Sequence, residues 1–401
     1  MTTITMPKLH PSQELIRGTD ARFVALACGR RWGKTRLGSV LCLATALSGG
    51  RSWWVAPSYK VAAVGWRVIR QLAVQIPGAQ VAKVERMIEL PTGGSVQVRS
   101  ADDPDSLRGE GLDFLVMDEC AFVKEAAWNE ALRPSLSDRK GRALFISTPA
   151  GQNWFWRIWN AGQDEMQDEI RSFRFPTVDN PYIDPAEIEA ARKSLPDRIF
   201  RQEYLAEFID DAGGVFRRVM DAATADPQDV PIEGHEYVFG VDWARSNDYT
   251  VFTVIDLTEK AQVYSDRFSQ IDYNTQVSRL TALYNRFNPR TIIAEYNSMG
   301  GPLVERLQAD GLPVQSFTTT NATKAQVIDA LALAFERGDI RILSDPVFIG
   351  ELQAFEGKQL LTGIRYSAPE GMHDDCVISL ALAWHGCSHG VQVVQDPFAA
   401  W

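Results

Sequence analysis

The chain is 401 residues long, 45% apolar and 23% charged, with a formal net charge of −10. That length suggests two domains, and the composition is that of a soluble globular protein, with no apolar run near the ~18–20 residues of a membrane span. The five cysteines are scattered with no C-x-x-C pair, and MTTITMPKLH lacks a signal-peptide layout; disulfides, a zinc site, export and membrane insertion are all disfavoured.

The first half alternates short apolar runs with longer mixed segments. FVALAC (23–28), WWVAP (53–57), FLVMDE (114–119) and ALFISTP (143–149) read as buried strands, with room for crossover helices between them. This is an α/β layout with a mainly parallel sheet. After the first strand comes GRRWGKT, close to the phosphate-loop pattern G-x-x-x-x-G-K-[ST]. Counting back from Gly33, Lys34 and Thr35, the first glycine belongs at position 28. Cys28 stands there, and Gly29 comes one place late. The setting is still that of a phosphate cradle, in which backbone N–H groups at a helix start face phosphate oxygens. Lys34 would bind the β- and γ-phosphates of ATP, and the Thr35 hydroxyl would hold Mg²⁺.

FLVMDE runs into Asp118 and Glu119. Two carboxylates ending a buried strand are costly unless they serve a cation or a reacting water. Asp118 is assigned to Mg²⁺, and Glu119 to orienting or deprotonating the attacking water. An exposed acidic strand end is the bland reading, and the lysine loop in the same sheet argues against it. Gln13 offers an amide for the adenine edge. Ser147 and Thr148 end a further strand, where hydroxyls could sense the γ-phosphate. Arg30, Arg31 and Arg108 could neutralise the transferring phosphoryl group in cis or from a neighbouring subunit, although each taken singly reads more readily as a surface salt bridge.

Around 176–213 proline, aspartate and glycine crowd about a helical stretch, AEIEAARKSL. That marks a linker region at about 176–212 and a boundary near Asp211–Gly214. The first domain is therefore set at 1–212 and the second at 213–401. Residues 1–212 hold 27 Lys+Arg against 27 Asp+Glu, and the rest 14 against 24, so the whole acidic excess lies in the second half. By charge alone that is a poor nucleic-acid binder.

The second half opens with YVFGVD, TVFTVIDL and QVYSDRFSQI, an antiparallel meander. A helix (about 272–287), a strand TIIAEY (291–296), a helix (301–310), a strand near PVQSF and a helix (321–337) follow, and HDDCVISLALAWHG closes the fold. Asp242 ends the first strand, Glu295 sits in a strand too apolar to take a charge idly, and Asp374 and Asp375 begin the last helix. One aspartate there is a good N-cap, but not two. Acids from two strands and a helix can converge on two divalent ions ~3.5–4 Å apart and cleave a phosphodiester. Oxygen ligands without a His/Cys cluster point to Mg²⁺ or Mn²⁺. His373 reads equally as a helper or a capping residue, and Asp248 in SNDYT as a turn residue.

The two sets together resemble the large terminase subunit of tailed double-stranded DNA bacteriophages. GRRWGKT, APSYKVA, SLRGEGLDFLVMDECAF, ISTPAGQNWF, RQEYLAEF, GVDWARSNDYT and HDDCVISLALA carry the resemblance in order along almost the whole chain. The displaced glycine is similar to that family's variant loop. The resemblance implies an N-terminal P-loop ATPase of the additional-strand (ASCE) type and a C-terminal RNase H-like nuclease with a mixed sheet. It implies ATP-driven translocation of double-stranded viral DNA by a homo-oligomeric ring on the procapsid portal, a small-subunit partner, endonucleolytic cutting of concatemers, and a host-cytoplasmic location without a membrane. Lys34, Thr35, Asp118 and Glu119 fit the ATPase roles, Ser147 and Thr148 the coupling motif, Arg108 an arginine reaching a neighbour's nucleotide, and Arg30 a loop arginine. Asp242, Glu295, Asp374 and Asp375 fit the nuclease acids. Glu295 departs from the Asp often found there, and the short C-terminal tail leaves portal docking unassigned. The rival readings are a helicase-like or repair ATPase fused to a nuclease and a non-catalytic assembly adaptor in which ATP only fixes shape.

Overall fold

A computed structural model of the chain describes residues 6–164, 166–209, 214–243, 248–296, 300–361 and 363–388. It contains two compact units, Met1–Asp210 and Asp211–Trp401. Most of the expected Asp211–Gly214 boundary, and the tail after 388, lie outside the described residues.

In the first unit eight strands form one sheet: β1 (Phe23–Cys28), β2 (Arg51–Ala56), β3 (Gln80–Ala82), β4 (Met87–Glu89), β5 (Ser95–Ser100), β6 (Phe114–Asp118), β7 (Arg142–Ser147) and β8 (Ile170–Phe175). Their order is β3-β4-β5-β2-β6-β7-β1-β8. Every pairing from β5 to β8 is parallel, and only the short β3-β4-β5 edge is antiparallel. β1 is buried at all six positions. Val24, Leu26 and Cys28 point into one core cluster, while Phe23, Ala25 and Ala27 join the cluster on the other face. A strand covered on both sides must be apolar throughout, which is why FVALAC does not alternate. β7 lies between β6 and β1, the arrangement that defines the additional-strand type of P-loop fold. The helix α1 (Pro11–Arg17) precedes β1, and α2 (Lys34–Leu47) follows it.

In the second unit β9 (Tyr237–Asp242), β10 (Thr250–Asp256), β11 (Ala261–Phe268), β12 (Thr291–Glu295) and β13 (Val314–Phe317) form a sheet in the order β11-β10-β9-β12-β13. The expected meander is present as antiparallel β9-β10-β11, and β9-β12-β13 is parallel, so the sheet is mixed. A hairpin, β14 (Glu356–Leu360) with β15 (Gly363–Ser367), stands apart. The helices Tyr273–Phe287 and Gly300–Ala309 cover one face of the sheet, and Asn321–Arg337 and Asp375–Ser388 the other. The last helix lies very close to β9. A Cβ on Gly240 would sit 2.0 Å from the Ser379 carbonyl oxygen and 2.4 Å from the Ala383 nitrogen. The Ser379 hydroxyl lies 2.6 Å from Thr253 Oγ1 and 3.1 Å from the Gly240 oxygen. Gly240 thereby fixes how deeply the helix that carries Asp375 is seated.

All five cysteines are free, and four are buried. Among the described residues no helix is long and apolar enough to cross a membrane.

Candidate active sites

Parallel strands end together, so β1, β6 and β7 bring Cys28, Asp118 and Ser147 to one edge of the first sheet. The loop after β1 turns at Arg31 (φ 62°) and Gly33 (φ 106°) and feeds α2, which begins at Lys34. Thr35 follows in the first turn. Lys34 Nζ donates to Thr148 Oγ1 at 2.8 Å and lies 3.5 Å from Glu119 Oε1. Burial opposes its charge, but Glu119, Cys28 and Asp118 together outweigh that and raise its pKa. Asp118 is 5% exposed. Burial, then the Glu119 charge, push its carboxyl up to about 7 against the pull of Lys34. A buried carboxyl held this far up fits a divalent cation. Glu119 is left-handed (φ 45°, ψ 47°), a costly conformation for a side-chain-bearing residue and one that concentrates at working sites. Ser147 Oγ lies 3.3 Å from Glu119 Oε2 and accepts the Ala121 N–H.

The displaced glycine has a steric cause. A Cβ at Gly29 would fall 2.5 Å from the Tyr204 carbonyl oxygen and 2.6 Å from Thr177 Oγ1. Cys28 is the last, fully buried residue of β1, so the position that admits no side chain is 29. The stretch read as a linker region supplies this contact. The Thr177 hydroxyl donates to the Arg30 carbonyl at 2.8 Å, Asn180 Nδ2 to the Arg31 carbonyl at 2.7 Å, and the Arg30 N–H to the Glu203 carbonyl at 2.7 Å.

Gln13 is 1% exposed; its amide nitrogen donates to the Gly33 carbonyl at 3.1 Å and its oxygen accepts the His10 N–H at 3.2 Å. Its polar atoms hold the loop, and each keeps one further hydrogen-bonding position. Arg30 is ion-paired with Glu203, whose hydrogen bond raises the guanidinium pKa. Arg108 lies 3.1 Å from Asp105 and 3.3 Å from Glu130, a half-exposed surface cluster of the kind its bland reading describes. Arg31 is exposed.

In the second unit Asp242, Glu295, Asp374 and Asp375 line one cavity of about 310 Å³, together with Asp248 and Lys324. β9 and β12 are parallel neighbours and end there, and the last helix begins there. Burial is the largest influence on Asp242, followed by the charges of Glu295 and Asp375 and a hydrogen bond with Glu295; its pKa rises well above the usual carboxylate range. Asp375 is pushed up to about 6, mainly by burial, against the Tyr249 N–H that donates to its Oδ2 at 3.2 Å. The Asp374 carboxylate pairs with Lys324 Nζ at 2.8 Å.

Asp248, which reads from the sequence as a turn residue, lines this cavity, and His373 stands beside it. Asp248, His373 and Asp375 bring ligand atoms within 4.8 Å of one another, and His373 Nδ1 lies 3.6 Å from each carboxylate. The expected all-oxygen set therefore has a nitrogen at its margin. The signal was the antiparallel register: Val251 faces Asp242 across β9-β10, so residues just before β10 return beside it. Lys324 had no such signal.

A P-loop ATPase fold of the additional-strand type, followed in the chain by an RNase H-like nuclease fold, is the class these units define. Residues 26–220 match the N-terminal model of T4likevirus-type terminase large subunits, and residues 239–385 the terminase RNaseH-like domain. The large terminase subunit of Thermus virus P23-45 is 33% identical over 94% of this chain and 87% of its own length. That of Thermus phage G20c is 32% identical over the same shares. The large terminase of another thermophilic bacteriophage superposes over 94% of this chain and 95% of its own with a TM-score of 0.53, at 14% identity, which is a likeness of fold. The chain belongs to the phage large terminase subunit family.

Proposed function

We propose that this protein is an ATP-driven packaging motor that also cuts its own substrate. The first domain (1–212) hydrolyses ATP to move double-stranded viral DNA into a procapsid, and the second (213–401) cleaves concatemeric DNA. The observation that carries this reading is the pair of chemically complete clusters in separate units. One is Lys34 between Thr148 and Glu119. The other is five carboxylates about one cavity.

In the first domain Lys34 and the N–H groups at the start of α2 bind the ATP phosphates. Thr35 and Asp118 are the residues to hold Mg²⁺, which when bound offsets phosphate charge. Glu119, fixed by Lys34 and Ser147, takes the proton of the attacking water. Ser147 and Thr148 link that step to β7. Arg30, released from Glu203, or Arg31 or Arg108 from a neighbouring subunit, supplies further positive charge. In the second domain Asp242, Glu295, Asp374 and Asp375 are the residues to hold Mg²⁺ or Mn²⁺, one ion or two. Four mutually repelling carboxyls, with Asp242 and Asp375 pushed up by burial and by neighbouring acids, fit such a load. Bound divalent ions supply the water activation and leaving-group stabilisation of phosphodiester cleavage. The partners are viral DNA, the portal, a small terminase subunit and further copies of this chain in a ring.

The test is in vitro packaging into purified procapsids with ATP. The wild type protects DNA from added nuclease, and Glu119→Ala binds ATP without protecting any. Protection by Glu119→Ala equal to the wild type would refute the motor.

A further inference from the structure

The nuclease cavity collects five carboxylates, and among its described lining residues Lys324 is the one cation. It stands in the first turn of the Asn321–Arg337 helix, whose start is fixed by a Thr320–Thr323 capping box and whose inner face, Val327, Ile328 and Leu331, is buried. The ammonium is therefore delivered from a rigid element. It reaches across to the start of another helix and meets Asp374 Oδ2 at 2.8 Å, 5.7 Å from the centre of the Phe355 ring. The neighbouring acids are held differently: Asp242 by a hydrogen bond with Glu295, and Asp375 by the Tyr249 N–H. Asp374 is thus the acid of this group held at hydrogen-bond distance by a lysine.

A carboxylate cannot give the same lone pairs fully to an ammonium and to a divalent ion, and two cations at this range repel each other. We propose that Lys324 is a built-in counter-cation: it holds Asp374 in place while the site lacks metal, competes with the divalent ion for that carboxylate, and so sets the metal concentration at which the nuclease loads. The proposal rests on the nuclease reading and adds a positioning residue to it. Its consequence is a site less prone to load, and so to cut, at low free metal than its acids alone would be.

The test is Mn²⁺ binding to the chelator-stripped full chain by titration calorimetry without DNA, with thermal unfolding in EDTA alongside. Asp242→Ala defines the signal belonging to this site. Lys324→Met keeps the stem and removes the charge; it is expected to bind Mn²⁺ about ten-fold more tightly and to unfold at a lower temperature in EDTA, because the acids lose their cation. Lys324→Arg is expected to stay near the wild type in both. Unchanged or weaker Mn²⁺ binding by a folded Lys324→Met, with a wild type that loads, overturns the role of Lys324 and leaves the nuclease reading standing. A wild type that shows no Mn²⁺ uptake beyond Asp242→Ala overturns the metal site and this inference with it.

Discussion

Lys34 and Glu119 face each other across 3.5 Å from opposite sides of β7, a strand that belongs to neither. Their meeting depends on three parallel strands ending at one level. It leaves an ammonium and a carboxylate in contact, with Thr148 as the third member.

Glu119→Gln keeps the size of the side chain and removes the base. ATP hydrolysis should fall about 10²–10⁴-fold, while ATP binding, measured by fluorescence titration, changes little. A variant that loses binding and turnover in the same proportion would assign Glu119 to holding nucleotide.

The glycine displacement predicts opposite outcomes from those of a consensus loop. Gly29→Ala places a methyl group against the Tyr204 carbonyl and should destabilise the first domain by about 1–3 kcal/mol. Cys28→Gly, which restores the common pattern, removes a fully buried side chain from β1 and should also cost about 1–2 kcal/mol. Thermal unfolding reads both, and a stabilising Cys28→Gly contradicts the steric account.

Gln13 separates loop support from base reading. Gln13→Ala should weaken ATP and GTP by a similar factor, since the Gly33 carbonyl loses its partner whichever base is bound. Selective loss of ATP alone would assign Gln13 to the adenine edge.

The raised pKa of Asp242 has a definite sign. Its folded value lies above its unfolded one, so the folded state holds the extra proton between them and metal-free stability falls as pH rises through that window. Asp375, at about 6, adds in the same sense. Asp242→Asn should therefore raise the unfolding temperature in EDTA at pH 8, and do so less at pH 5. A larger gain at pH 5 would mean that Asp242 is ionised and satisfied without metal.

The strands that position both candidate sites were legible because each is an apolar run that stops at a distinctive stretch: FVALAC before GRRWGKT, FLVM at Asp118, YVFGV at Asp242. β3, β4 and the β14-β15 hairpin were not, being short or half-exposed, with little apolar pattern to read. β8 hid because IRSFRF is only partly buried at the edge of the sheet. Contacts made over long sequence separations were the least visible. Nothing in Thr177, Asn180 or Tyr204 announces that they brace a loop at 29–31, and nothing in a helix start at 321 announces that its lysine reaches Asp374. Asp248 was within reach through register, but a turn residue beside a strand is usually only that.

The central claim is that two independent metal-dependent centres share one chain. The most direct measurement compares Glu119→Ala and Asp242→Ala in two assays, phosphate release from ATP and digestion of plasmid DNA with Mg²⁺ or Mn²⁺. The account predicts a crossed result: Glu119→Ala cuts DNA and does not turn over ATP, while Asp242→Ala turns over ATP and does not cut. Loss of both activities in Asp242→Ala, with the protein folded, would contradict it.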